Sequence, residues 1–130
     1  MSDKSSYRTP LSRVRNLGPA HSGTMHFWHQ RLTSVALVPL SIAFVFIVIA
    51  LMRSSHATAL QTLGSPVIAI IMLLFIGTTV YHMWLGMQVI IEDYIHDELP
   101  KILLLMGNTF FCITVALACV YAILQISSGV

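Results

Sequence analysis

The sequence predicts an all-α membrane protein with three transmembrane helices, and three observations carry that prediction. Of 130 residues, 56% are apolar and only 9% are charged, whereas soluble domains carry about a quarter charged residues. The mean hydropathy is +0.81. Three apolar runs, at about 32–52, 66–91 and 101–126, each reach the roughly 20 residues that cross a bilayer as a helix. The runs are continuously apolar and lack the alternation required of barrel strands, so each is a helix. A chain of this size has no room to enclose a large aqueous site by itself.

Residues 1–24 are polar and rich in Ser, Arg, Gly and Pro. They lack the apolar core and cleavage site of a secretory signal and are expected to form a polar cytoplasmic tail. Residues 25–130 then make up the three-helix anchor domain. "RSSHATALQTLGS" joins the first two spans and "EDYIHDELPK" the second and third, with Pro66 and Pro100 where proline suits a helix start. Lys4, Arg8, Arg13, Arg15 and Arg31 precede the first span, Lys101 lies in the second connector, and Arg53 alone lies opposite. The positive-inside rule therefore puts the N-terminus and the second connector in the cytoplasm. Four of the five acidic residues, Glu92, Asp93, Asp97 and Glu98, fall in that connector, where charge holds helix ends in water.

Several residue types carry no site. Cys112 and Cys119 are seven residues apart in the last run, about 10 Å along a helix, which is beyond disulfide reach. Trp28, Tyr81 and Trp84 are expected as packing or interfacial aromatics, the methionines as gap-filling or lipid-facing side chains, and Thr78 and Thr79 beside Gly77 as a helix contact. No nucleophile triad, phosphate loop or closed zinc set is present, and nucleic acid is not an expected partner.

His82 is the one histidine well inside a span. An ionisable group at membrane depth is costly and faces a bundle interior, where it bonds a partner, a cofactor or a substrate. Two readings stay open on the residues alone. A neutral imidazole is the usual axial ligand of haem iron in a helical bundle, with Gly86 one turn on leaving a bare surface for a flat macrocycle. Alternatively, His82 bonds a neighbouring helix and Gly86 permits close packing. A six-coordinate haem needs its second ligand from another chain. Tyr94 lies twelve residues on, about 18 Å along a helix and a third of a turn around it. A phenol at a membrane boundary can donate to a quinone carbonyl or serve as an ordinary interfacial tyrosine.

The segment from His82 to Tyr94, read as H-x-W-x-G-M-Q-x-x-x-x-D-Y, resembles the second span of the D-type membrane anchors of succinate dehydrogenase, respiratory complex II. "IHDELPK" is similar to the mitochondrial form of the following loop, and "HFWHQRLTSVALVPL" to the family's entry into its first span. The resemblance covers roughly residues 25–126. It implies a heteromeric haem-binding helical bundle in which His82 is an axial ligand to the iron of haem b, shared with a C-type anchor subunit. It further implies that Tyr94 hydrogen-bonds ubiquinone, that Asp93 is its acidic neighbour in the quinone site, and that Arg31 serves a haem propionate or the quinone pocket. The implied partners are the C-type anchor, an iron-sulfur subunit carrying the clusters, a flavoprotein carrying FAD, and membrane lipid.

On this reading the chain belongs to electron transport and the tricarboxylic acid cycle and catalyses nothing alone. Its expected place is the bacterial cytoplasmic (inner) membrane, as a multi-pass protein, with the mitochondrial inner membrane as the alternative. The rival functions are a quinol-fumarate reductase anchor and a noncatalytic three-span assembly or transport component. His21, His26, His29, His56 and His96 are expected to be interfacial or solvated.

Overall fold

A computed structural model describes residues 21–129, with side chains from residue 24 onward. Most of the polar tail, with Lys4, Arg8, Arg13 and Arg15, lies outside the described residues. The described chain is all-helical: α1 spans His21–Met52, α2 His56–Gly64, α3 Pro66–Tyr94 and α4 Glu98–Ser128. Three of these, over Thr24–Met52, Pro66–Tyr94 and Glu98–Ser128, are long and apolar enough to cross a membrane. At 1.5 Å per residue, helices of 29 to 31 residues run to about 45 Å, well past a hydrocarbon layer of about 30 Å. Their ends therefore reach the interfacial zones. The helices outrun the apolar runs because a helix, once started, satisfies its own backbone whether or not its surface is greasy.

Local signals set the ends. Ser55 caps α2 by accepting the Thr58 backbone N–H at 3.3 Å, and Pro66 occupies the first turn of α3, where the missing N–H costs nothing. α4 closes on Gly129, whose φ of 74° is left-handed and suits glycine. Its N–H returns to the carbonyls of Gln125 and Ile126. Pro39 lies inside α1, where it removes one helical hydrogen bond, which membrane helices tolerate among close neighbours.

The connector "RSSHATALQTLGS" is not a plain link. It contains α2, which packs across the far end of α4. The contact is close at Gly64, where a Cβ would come 3.2 Å from the Ile126 carbonyl oxygen. Ser127 Oγ donates to the Gly64 carbonyl at 3.5 Å.

α3 is the middle helix. It packs on α1 along one side and on α4 along the other, while α1 and α4 make no contact with each other. Among the described residues α3 thus lies between α1 and α4 in the helical bundle. Few side chains are buried as a result: among the described residues, Ile47, Ala69, Leu85, Ile91 and Cys112. Leu32 (68%), Phe46 (69%) and Leu103 (69%) stay exposed, which suits contact with lipid or with other subunits and would be costly in water. Phe44 and Phe75 stack at 4.5 Å between α1 and α3 and fix the far half of that pair.

Candidate functional site

Two seams, one on each side of α3, hold the polar side chains that bond from one span to another. His82 lies in the α1–α3 seam, half-buried. Its Nδ1 is 2.8 Å from Thr33 Oγ1, and its Nε2 is 3.5 Å from the Gln30 amide nitrogen. Thr33 Oγ1 is also 2.8 Å from the His29 carbonyl oxygen and 3.1 Å from that of Gln30. One ring nitrogen is thus held by a short bond while the other has only a long contact. Gly86, one turn along α3, faces the same glutamine: a Cβ there would meet Gln30 Nε2 at 3.5 Å. Gly86 therefore lies beside the Gln30 side chain.

Gln30 Oε1 is buried and has no hydrogen-bond partner. Leaving an amide oxygen so placed costs about 1–3 kcal/mol, so the side chain loses little by turning aside. Among the described residues no three His, Cys, Asp or Glu side chains gather to hold a metal. A lone imidazole of this kind fits a metal whose remaining ligands come with a macrocycle or from another subunit, which is the ligand chemistry of haem.

Arg31 is exposed on α1, with its guanidinium 4.9 Å from the centre of the Phe27 ring, a cation–π distance. Its helical neighbours Gln30 and Thr33 both reach His82, so Arg31 is level with the imidazole. The sequence puts it just before a span, whereas α1 begins ten residues earlier, at His21. Asp93 and Tyr94 are exposed in the last turn of α3, about 18 Å along the helix from His82. Tyr94 is 77% exposed and stands at the end of an apolar groove of about 510 Å³ between α3 and α4, lined by Met83, Met87, Ile90, Leu103 and Phe111 among others. The helix therefore presents His82 to one side and Tyr94 to another, at different depths.

The second seam lies between α3 and α4. Trp84 Nε1 donates to Thr109 Oγ1 at 3.1 Å, Thr109 donates to the Leu105 carbonyl at 2.9 Å, and Asn108 Nδ2 donates to the Trp84 carbonyl at 3.1 Å. Tyr81 stacks on Trp84 at 5.9 Å and meets His29 edge-on at 6.0 Å. Trp84 is therefore a packing residue, as expected. Gly77 faces open space, and Thr79 Oγ1 is buried without a partner. Asn108 and Thr109 had a usable signal, being polar residues at membrane depth. Thr33 and Gln30, close to the polar start of α1, had none.

Three long apolar helices, interhelical polar contacts along the seams of α3 and a large apolar exterior define a membrane-embedded helical protein. The chain belongs to the succinate dehydrogenase/fumarate reductase transmembrane subunit family, whose model matches residues 5–122. It is 32% identical to the succinate dehydrogenase hydrophobic membrane anchor subunit of Rickettsia bellii, over 90% of this chain and 94% of that one. Its identity to the corresponding subunit of Paracoccus denitrificans is 31%, over 95% of each. The succinate dehydrogenase membrane anchor subunit of Reclinomonas americana is 33% identical over 62% of this chain and 70% of its own. No solved structure matches significantly. The family found is the one that the His82–Tyr94 motif resembles.

Proposed function

We propose that this chain is the membrane anchor of a succinate:ubiquinone oxidoreductase, contributing one axial ligand of haem b and part of the ubiquinone-reduction site. The observation that carries the reading is His82, an imidazole in the middle of a spanning helix with Nδ1 fixed at 2.8 Å by Thr33 and Nε2 only loosely engaged. Succinate oxidation is favoured over fumarate reduction because the relatives above are named for the former. The other axial ligand comes from a C-type anchor. An iron-sulfur subunit and an FAD-bearing flavoprotein complete the assembly and supply electrons from succinate. By the positive-inside rule, Lys101 and the basic residues ahead of the first span support a Tyr94 end on the cytoplasmic side of a bacterial inner membrane.

This chain's residues divide the work by depth. His82 offers the Nε2 lone pair to iron. Bound there, haem b supplies a one-electron redox centre. Arg31, level with His82 and about 18 Å from the depth of Tyr94, is suited to a haem propionate and not to the quinone. Tyr94 donates its phenolic proton to a carbonyl oxygen of ubiquinone as a hydrogen bond, and the groove leading to it accepts an apolar tail. Asp93, beside it and open to water, relays protons toward the reduced ring.

The test is the purified complex. Replacing His82 by leucine removes or alters the haem bands in the reduced-minus-oxidised spectrum; unchanged bands would refute ligation. Tyr94→Phe lowers succinate-to-ubiquinone turnover while succinate oxidation by an artificial acceptor at the flavoprotein persists. Equal loss of both would make Tyr94 an assembly residue instead.

A further inference from the structure

We infer that Thr33 is the positioning residue of His82: its hydroxyl selects the tautomer that leaves Nε2 free and strengthens that nitrogen as a donor. The inference rests on His82 being a metal ligand, as proposed above, and adds a residue from a different helix.

The proton assignment follows from counting hydrogens. Thr33 Oγ1 carries one proton and has three neighbours in hydrogen-bond range, the carbonyls of His29 at 2.8 Å and Gln30 at 3.1 Å and His82 Nδ1 at 2.8 Å. A carbonyl can only accept. If the hydroxyl gave its proton to Nδ1, two oxygens would face each other at 2.8 Å with no hydrogen between them. If it gives the proton to His29, as threonine commonly does to the carbonyl four residues back in a helix, its lone pairs are left to accept. Nδ1 then carries the ring proton and donates to Oγ1. Both short contacts become hydrogen bonds, and Nε2 is left with a lone pair. The 3.5 Å approach of the Gln30 amide agrees, because an N–H₂ group facing a lone pair is favourable.

The chain His82 Nδ1–H to Thr33 O–H to the His29 carbonyl is polarised in one direction, so each bond strengthens the next. A hydrogen bond from the distal N–H orients a ligating imidazole and raises the basicity of its other nitrogen. The threonine is preorganised for this, since its bond to α1's own backbone fixes its rotamer before His82 arrives. Ser34 follows it in sequence, yet Ser34 Oγ donates to the Gln30 carbonyl at 2.6 Å on an exposed side of α1. The role thus falls to Thr33 by its place on the helix.

The experiment compares the intact complex with its Thr33→Val and Thr33→Ser variants, reading haem content, the low-spin resonance of the oxidised haem and its midpoint potential. Valine keeps the shape and removes the oxygen. It weakens electron donation by Nε2, so the potential shifts upward and the resonance moves, or haem is lost outright; serine restores wild-type values. Two results overturn the proposal: valine leaving potential and resonance unchanged, or serine failing as badly as valine, which would make the methyl packing decisive. If wild-type complex holds no haem, or His82→Leu leaves the haem potential unmoved, the ligation reading itself fails and the role of Thr33 falls with it.

Discussion

The two seams of α3 are built from similar residues and differ in one group, the imidazole of His82. On the α4 side, the Trp84 indole N–H, the Thr109 hydroxyl and the Asn108 amide N–H₂ each have a partner, and the orphan atom is Gln88 Oε1, one turn beyond. On the α1 side, His82 Nε2 has only a long contact and Gln30 Oε1 has none. Polar groups in a membrane that satisfy one another hold helices together. Groups left incomplete at the same depth are costly and mark a place where something else completes them. Polarity alone does not separate glue from site, nor does an orphan glutamine oxygen, which each seam carries; what sets the α1 side apart is an imidazole nitrogen with only a long contact.

The sharpest way to break this contrast pairs His82→Leu with Asn108→Leu. The first is expected to lower bound haem about tenfold or more, since even indirect partners of a metal ligand are worth that much. The second leaves the haem bands unmoved and costs about 1 kcal/mol of stability, read as a lower unfolding temperature in detergent. Haem loss in the Asn108 variant would erase the distinction between the seams.

A purely steric control comes next. Gly64→Val forces atoms against the Ile126 carbonyl, 3.2 Å from the first of them, and is expected to cost about 1–3 kcal/mol with no spectral change. For the closed seam, a double-mutant cycle of Trp84→Phe with Thr109→Val measures the coupling directly. About 0.6 kcal/mol is expected and about 1.7 at most; zero coupling would mean that the pair merely sits together. The smallest effect belongs to Gly86→Ala. Its new Cβ makes ordinary contact with a flexible Gln30 side chain at 3.5 Å, so stability should stay within about 0.5 kcal/mol, as for substitutions away from strained features. A large loss there would mean that something flat and rigid lies against that face.

The connector shows where pattern reading stopped. "RSSHATALQTLGS" has no apolar run of spanning length and reads as a link, yet it holds the nine-residue helix α2. A helix so short is marginal by itself. Its stability comes from the Ser55 cap and from docking on α4 through Gly64, and the second of these is a contact between residues 62 apart.

Composition and periodicity alone determined the class and the number of candidate spans, and singled out His82 as the one histidine well inside them. Hydrophobicity is summed along the chain, so a bilayer-length run and an imidazole interrupting it are both legible in one dimension. The same spacing put His82 and Tyr94 at different depths and on different sides of one helix. Only the tertiary structure decided what His82 meets. How far α1 and α3 are rotated and slid against each other is set by packing between distant segments, and that rotation brings Thr33 and Gln30, 49 and 52 residues away, to the two nitrogens of one ring.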